Sequence, residues 1–381
     1  MKVAVLGYGV VGKGVYDMLR TCPLFEAGTV LVRPGKVDEA FKVDNIDAII
    51  KDESIDLVAE VMGGVDLPYK YASMVLKAGK HFVTSNKALV SERGVELNTL
   101  ARENNVAFLF SAACGGAVPF LHNLELARRA DQIESLGGIL NGTTNYMLDR
   151  MQSEGLDYSE ALKEAQALGY AEADPTADVT GLDALRKIML GCAVAYDMLP
   201  VEGLLNEGID SFKASDAAHF QSQGLTCRLV ARGGLNEDGS LYAFVQPVLL
   251  ASDAPEAAVK KNFNMAKYIG RNSGQIVLMG QGAGRYPTAS AVIRDVECVM
   301  DGQRAMLRAD CRRVEAKNEG CRCRYYVRLP EVWLGRLSYE SAQCSEGVAR
   351  VITSSISVKA MHELARELRR AGAEVFFAAL D

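Results

Sequence analysis

The apolar positions change their rhythm twice along the chain. Val3-Ala4-Val5-Leu6 is apolar without alternation and stops at Gly7, as a strand buried on both faces does, and residues 14–20 read as the helix that follows. Further apolar runs at 29–32, 55–61, 81–84 and 106–110 are separated by stretches with apolar residues three and four apart, notably 69–78 and 94–104. Strands alternating with helices predict a doubly wound parallel sheet of α/β class. Residues 36–46 leave little room, so this unit is trimmed between its second and third strands. From Ile133 a strand runs through Gly137-Gly138-Ile139-Leu140 into a loop. Helices are expected over 145–153, 158–168 and 181–196, and strands over 241–245 and 275–279, giving an antiparallel or mixed sheet covered by helices. Beyond about residue 300, strands near 324–329, 348–355 and 373–378 and a helix over 358–370 form a small α+β unit. The expected division is therefore 1–130, 131–300 and 301–381, with no long repeat or low-complexity tract.

Composition narrows the function. The chain has 381 residues, 49% of them hydrophobic, enough for several packed units. Its net charge of −6 leaves no basic excess for a phosphate backbone or an anionic membrane surface, so neither nucleic acid nor membrane is expected as a partner. No segment approaches the roughly 18 consecutive apolar residues of a membrane span. The first residues run straight into a strand, which leaves no room for a secretory signal, and a cytoplasmic location is expected. Nine cysteines, an odd number with no dense spacing, read as reduced thiols. Cys321-Arg322-Cys323 is half of a zinc-type pattern, without a second close pair or a nearby His to complete it.

Gly7-Tyr8-Gly9-Val10-Val11-Gly12 sits between the first strand and the first helix. In G-x-G-x-x-G the first glycine makes the tight turn, the second admits a pyrophosphate, and the third lets the helix pack on the strand, while the helix N-terminus favours the phosphate charge. The context is that of a Rossmann-type nucleotide-binding domain; the alternative is a glycine turn without a ligand. Gly7, Gly9, Val10, Val11 and Gly12 are the expected cofactor contacts. At the end of the second strand stand Arg33 and, close by, Lys36 in place of an acid for the ribose hydroxyls. An arginine there can meet a 2′-phosphate, which tilts the expected cofactor from NAD toward NADP, unless Arg33 is simply solvated.

Three polar segments occupy places a core does not need them: 84–87, 141–145 and 169–178. The last leads into a helix on which Asp183 and Lys187, four apart, share one face. By themselves they read most simply as a surface ion pair. Lys87 lies just past the C-terminal end of a sheet strand, where open α/β sheets bind ligands.

Taken in order, G-Y-G-V-V-G, V-M-G-G (61–64), S-N-K-A-L-V (85–90), G-I-L-N-G-T-T-N-Y-M-L (138–148), G-Y-A-E-A-D-P-T-A-D-V-T-G-L-D-A-L-R-K (169–187) and G-A-G-R-Y-P-T-A-S-A-V (282–292) resemble the homoserine dehydrogenase family over residues 2 to about 300. The resemblance implies a reversible reduction of L-aspartate 4-semialdehyde to L-homoserine by a nicotinamide hydride, in threonine and methionine biosynthesis. It implies that Lys187 is the proton donor and that Lys87 positions substrate and cofactor or shares that role. Glu172 and Asp183 match the acids that bind the substrate amino group and orient Lys187, with Asp178 and Asn145 as further substrate-binding candidates. Thr84, Ser85, Lys87 and Gly284 join the cofactor set. The second domain is then catalytic and dimerising, and a homodimer or homotetramer is expected.

The chain departs from the family at Ser111, where a Glu that helps hold a monovalent cation is usual. Main-chain carbonyls of Cys114, Gly116 and Val118 remain as ligands for Na⁺ or K⁺, without that charge. Cys114 in its glycine-rich loop also resembles the nucleophile of a phosphorylating aldehyde dehydrogenase, although no His in the sequence is placed to activate it. The C-terminal unit resembles a shortened ACT-type regulatory module opening on Tyr325-Tyr326-Val327-Arg328-Leu329, with Pro330-Glu331-Val332-Trp333 where a helix usually starts, and a threonine effector is its expected ligand. The competing readings are a catalytically silent nucleotide sensor and another amino-acid dehydrogenase on the same domain. Lys87, Glu172, Asp183 and Lys187 together argue against the sensor, and the G-Y-A-E-A-D-P segment against the other dehydrogenase.

Overall fold

The computed structural model describes residues 1–381. The first unit runs β1 (Lys2–Leu6), α1 (Val10–Thr21), β2 (Glu26–Leu31), β3 (Lys42–Val43), α2 (Asp47–Ile50), β4 (Leu57–Glu60), α3 (Asp66–Lys77), β5 (His81–Thr84), α4 (Lys87–Glu103) and β6 (Phe108–Leu109). Its strands are parallel in the order β3-β2-β1-β4-β5-β6. The order reverses between β1 and β4, which opens a crevice at their C-terminal ends. All of β4 and residues 3–6 of β1 are buried, so these strands read as unbroken apolar runs. The trimmed stretch holds only the two-residue β3 and the single-turn α2.

The second unit runs α5 (Phe120–Ala130), β7 (Ile133–Ile139), α6 (Gly142–Glu154), α7 (Tyr158–Ala167), α8 (Thr176–Val179), α9 (Leu182–Tyr196), β8 (Met198–Glu202), β9 (Leu205–Asn206), α10 (Ala214–Ser222), β10 (Leu225–Leu235), β11 (Leu241–Ala251), β12 (Phe263–Gly270), β13 (Gly274–Gln281) and α11 (Arg285–Met300). Asn141 caps α6, and a reciprocal Asp157–Glu160 capping box opens α7. Helix α9 is the central pillar. On one side Ile188 and Cys192 press against Gly233 of β10, on another Gly191 admits the Phe120 ring of α5, and α4 of the first unit packs beside it. A helix buried nearly all round carries Asp183 and Lys187 into the interior, where charges must be paired.

The last elements are β14 (Arg312–Glu315), β15 (Arg322–Cys323), β16 (Tyr325–Pro330), a 3₁₀ turn at Glu331–Arg336, β17 (Tyr339–Ser345), β18 (Val348–Thr353), β19 (Ile356–Ser357), α12 (Val358–Arg370) and β20 (Phe376–Leu380). They extend the sheet of the second unit. β20 pairs in parallel with β11, and one sheet runs β13-β12-β7-β10-β11-β20-β16-β18-β17. Val230, Val248 and Leu250 of β10 and β11 share a core with Met361, Ala365 and Leu368 of α12, so the two units bury one another's apolar surface.

Packing also moves the expected boundaries. α5, placed by sequence in the first unit, packs on α9 and β12 of the second. α11, placed in the second, lies on α1, where Gly14 faces Ala289 and Arg285 reaches Asp17 at 2.5 Å. After it, Ala305 bridges to Phe108 at the edge of the first sheet. A contiguous cut near residue 300 misses this return because apolar spacing records burial and not the partner.

Arg328 of β16 ties the C-terminal strands to α10. Its Nε meets both oxygens of the fully buried Asp216 at 2.9 and 3.1 Å, and an Nη donates to the Ser211 carbonyl at 2.7 Å. Arg328→Ala strands Asp216 without its counter-charge and should cost about 3–5 kcal/mol of stability. Urea unfolding followed through Trp333, the single tryptophan, checks this. A loss below about 1 kcal/mol, the size of an exposed ion pair, would mean that the junction contributes nothing beyond surface contact.

Candidate active site

The glycine turn has the shape a dinucleotide needs. Gly9 caps α1 and a Cβ added there meets nothing within 4 Å, whereas a Cβ on Gly12 would lie 2.1 Å from the Gly7 carbonyl oxygen. Val10 and Val11 open α1, so their amides belong to the turn that has no helical acceptor. Arg33 and Lys36 stand exposed beyond β2, joined by a turn from the Lys36 amide to the Arg33 carbonyl at 3.1 Å. Lys42, in contrast, is occupied by Asp38 and Glu39.

At the C-terminal ends of β4 and β5 a buried relay fixes the start of α4. Glu60 accepts from the Met62 amide at 2.6 Å and from the Thr84 hydroxyl at 2.5 Å. Thr84 in turn accepts from the Asn86 amide at 2.9 Å, and Asn86 caps α4 through the Leu89 amide at 3.1 Å. Burial raises the Glu60 carboxyl to about 7 against the pull of these hydrogen bonds. Thr84 is thus a correction to the expected cofactor set, since it is fully buried and its hydroxyl is spent inside the relay. Ser85 is partly open, and Lys87 is the first residue of α4.

Lys87 reaches across to the second unit. Its Nζ lies 3.0 Å from Asp183 Oδ1, while Lys187 Nζ lies 2.7 Å from Asp183 Oδ2. Lys187 also donates to the Leu140 carbonyl at 2.6 Å, and that oxygen accepts from Asn264 as well at 2.9 Å. Asn141 donates to Asp183 Oδ2 at 2.9 Å and to Asp178 Oδ1 at 2.6 Å. The pair is no surface ornament: Asp183 and Lys187 are both buried, and Lys87 is about one-third exposed. Burial alone would raise the Asp183 carboxyl, yet the two lysines outweigh it and hold it well below the usual carboxylate range. For Lys187 burial favours the neutral amine, and Asp183 reverses that, so its proton is held more tightly than an ordinary lysine's. Asp178 is pushed up by burial and by Asp183, with Asn141 and Lys187 opposing.

Two expected substrate contacts are not brought here. Asn145 is fully buried and donates to the Val259, Lys261 and Phe263 carbonyls, at 2.9 Å for Lys261. It is a tie between α6 and that loop, one turn further along the helix than Asn141. The Glu172 side chain is exposed, and only its carbonyl oxygen is engaged, by Gln166. Sequence reasoning missed Asn141, Asn264 and Glu60 as individual residues. Asn141 was legible as the capping residue of the polar segment 141–145, and Glu60 as an acid within the apolar run 55–61; Asn264 gives no local signal.

The loop before α5 completes the wall. Cys114 is buried with Sγ 3.9 Å from the Lys187 carbonyl oxygen, and burial pushes its thiol up to about 12. A nucleophilic thiolate is therefore not available there. Gly116 has φ of 52° and a Cβ would lie 2.7 Å from Gly282, so this loop packs tightly on residues 281–283. The Val118 carbonyl accepts from the Phe120 amide at 2.8 Å. The Ser111 hydroxyl donates to Asp295 Oδ1, whose other oxygen takes the Ala112 amide at 3.2 Å. The carbonyls of Cys114, Gly116 and Val118 could face Na⁺ or K⁺ but bring no formal charge to it, and the Asp295 carboxyl beside Ser111 is spent on Ser111 and Ala112. Gly284 precedes α11 with φ of 121°, beside the Arg285–Asp17 contact that holds α11 on the nucleotide-site helix α1. A cleft of about 1020 Å³ lies elsewhere, lined by Arg232, Tyr242, Lys317 and Cys321 among others. Its mixed charges form no constellation like that around Asp183.

Known proteins give this geometry its family. The model of the homoserine dehydrogenase NAD binding domain matches residues 7–111, and that of homoserine dehydrogenase matches residues 119–296. The homoserine dehydrogenase of a Synechocystis species is 39% identical over 314 residues, covering 78% of this chain and 72% of the relative. That of Bacillus subtilis is 36% identical over 322 residues, covering 80% and 74%. The crystal structure of a homoserine dehydrogenase from Thiobacillus denitrificans, 28% identical, superposes with a TM-score of 0.88 over 100% of this chain and 98% of that one. A hyperthermophilic archaeal homoserine dehydrogenase in complex with NADPH, 24% identical, shares the fold at a TM-score of 0.69, covering 81% of this chain and 99% of its own. With a parallel nucleotide-binding sheet, a lysine from each unit on one buried aspartate, and these relatives, the chain belongs to the homoserine dehydrogenase family.

Proposed function

We propose that this chain reduces L-aspartate 4-semialdehyde reversibly to L-homoserine, with Lys187 as the proton donor. The observation that carries this is Asp183 shared between Lys87 and Lys187. A bound nicotinamide supplies the hydride to the aldehyde carbon. As that bond forms, the carbonyl π pair moves onto oxygen, and the charge must meet a cation or a proton there. Lys187 spends two N–H bonds on Asp183 and Leu140 and keeps the third for that oxygen. Lys87 touches only Asp183 and keeps its others for substrate and cofactor. Asp178, half-open beside Asp183, suits the substrate's ammonium group. Glu172 enters this reading only through its likeness to the family's acid. In the oxidative direction the neutral amine of Lys187 must take up the alcohol's proton, and Asp183 keeps that form scarce, so oxidation should quicken as pH rises.

The same reading extends to cofactor and partners. The glycine turn supports a nicotinamide dinucleotide, and the free charges of Arg33 and Lys36 support NADP over NAD; a relative of the same fold is known in complex with NADPH. No step of this reaction requires a monovalent cation. A homodimer or homotetramer is supported by exposed Val277 and Met279 on the edge strand β13. The strands β20-β16-β18-β17 and α12, with the 3₁₀ turn in place of a first helix, follow the split β-α-β order, which supports an ACT-like unit with threonine as its effector. No helix is long and apolar enough to cross a membrane, in keeping with a cytoplasmic enzyme of amino-acid biosynthesis.

Lys187→Ala should lower kcat at least about a hundredfold while leaving the NADPH dissociation constant within about twofold of wild type. Retention of more than about a tenth of kcat removes Lys187 from the proton step. Arg33→Ala should raise the KM for NADPH about 10–100-fold with little change for NADH, the worth of one charge-assisted phosphate contact; equal effects on both contradict the assignment. Cys114→Ala should keep kcat within about threefold, and iodoacetamide at pH 8 should not inactivate the wild type through this residue. Inactivation that substrate blocks and Cys114→Ala abolishes would restore the nucleophile.

A further inference from the structure

Outside the residues given roles above, one buried side chain touches both site carboxylates. Asn141 is 4% exposed, and its amide is used to capacity. Oδ1 accepts from the Thr144 amide at 2.8 Å and the Thr144 hydroxyl at 2.9 Å, while Nδ2 donates to Asp178 at 2.6 Å and Asp183 at 2.9 Å. One planar group therefore ties the start of α6 to α8 and α9, and it stands between the two carboxylates.

We propose that Asn141 is a positioning residue, which keeps Asp178 and Asp183 together as a charged pair for the substrate's ammonium group and holds Asp183 square to Lys187. This deepens the proposed reaction and rests on that reading. A helix cap alone does not call for asparagine, since Ser and Asp cap as well. What asparagine adds is two N–H bonds from one rigid plane, without charge. Like charges at close range raise each other's affinity for protons, and a hydrogen bond given to the charged form lowers it. The charged and titratable groups around the pair are Lys87 from α4, Asp178 from α8, Asp183 and Lys187 from α9, and the neutral thiol of Cys114 from the loop before α5. The two lysines fall on Asp183, so Asp178 depends most on Asn141. Without those donors Asp178 protonates at a higher pH, and the acid limb of activity must follow it upward.

Two capping replacements separate the roles. Asn141→Ser keeps an oxygen for the Thr144 amide and cannot span both acids, and Asn141→Asp keeps the cap and turns the two donors into a third carboxylate. For Asn141→Ser we expect a melting temperature within a few degrees of wild type and an unchanged NADPH dissociation constant. Its kcat/KM for homoserine should be at least about tenfold lower, with an acid limb moved up by about one pH unit. For Asn141→Asp the loss and the shift should be larger. Wild-type acid limbs and kcat/KM in both variants would overturn the proposal and leave Asn141 as a cap. The Asp178 carboxyl, followed by carbon-13 NMR in aspartate-labelled protein with Asp178→Asn for assignment, gives a readout that needs no turnover. Its titration should move upward in Asn141→Ser even if the wild type fails to oxidise homoserine, a failure that would count against the proposed reaction instead; an unmoved titration contradicts the positioning role.

Discussion

The structure depends on one carboxylate shared by two cations. Asp183 is buried, and in that setting an isolated charge costs far more than any single hydrogen bond returns. Lys87 on one oxygen and Lys187 on the other make its ionised form the stable one, and the carboxylate in turn keeps Lys187 protonated in a place that would otherwise strip it of its charge. Neither lysine has a comparable anion elsewhere. A proton donor that must be both dry and charged needs an arrangement of this kind.

The pair also joins the two halves of the molecule. Lys87 opens α4 at the crevice of the parallel sheet, and Asp183 and Lys187 stand on the helix at the centre of the mixed sheet. A site built this way is correct only if both units are placed correctly, which accounts for the amount of packing committed to their junction. α4 lies on α9, α11 returns to α1, and the Glu60–Thr84–Asn86 relay pins the end of α4 that bears Lys87. The continuous sheet through β11 and β20 then stiffens the second unit from its far side.

Much of this was legible in the sequence, for physical reasons. Unbroken apolar strands ending at glycine turns report double-sided burial, so the parallel unit and the position of Lys87 followed from local pattern. The four-residue spacing of Asp183 and Lys187 placed them on one face, but spacing cannot distinguish a solvated pair from a buried one; that required the apolar surroundings of all of α9. Thr84 and Asn145 were misplaced because a polar residue in a polar segment can turn inward as readily as toward a ligand. The joining of β20 to β11 and the return of α11 were invisible, since strand partners far apart in sequence leave no periodic trace. Asn141 lay within a recognised segment, and only the geometry distinguished it from its neighbours.

The most direct measurement is a double-mutant cycle on kcat/KM for homoserine with Lys87→Ala, Asp183→Ala and the pair together. If the two residues act as one unit, the double variant should fall no more than about tenfold below the worse single variant, because removing either has already dismantled the arrangement. Losses that simply multiply would mean that Lys87 and Asp183 serve separate steps, and the shared carboxylate would not be what holds the site together.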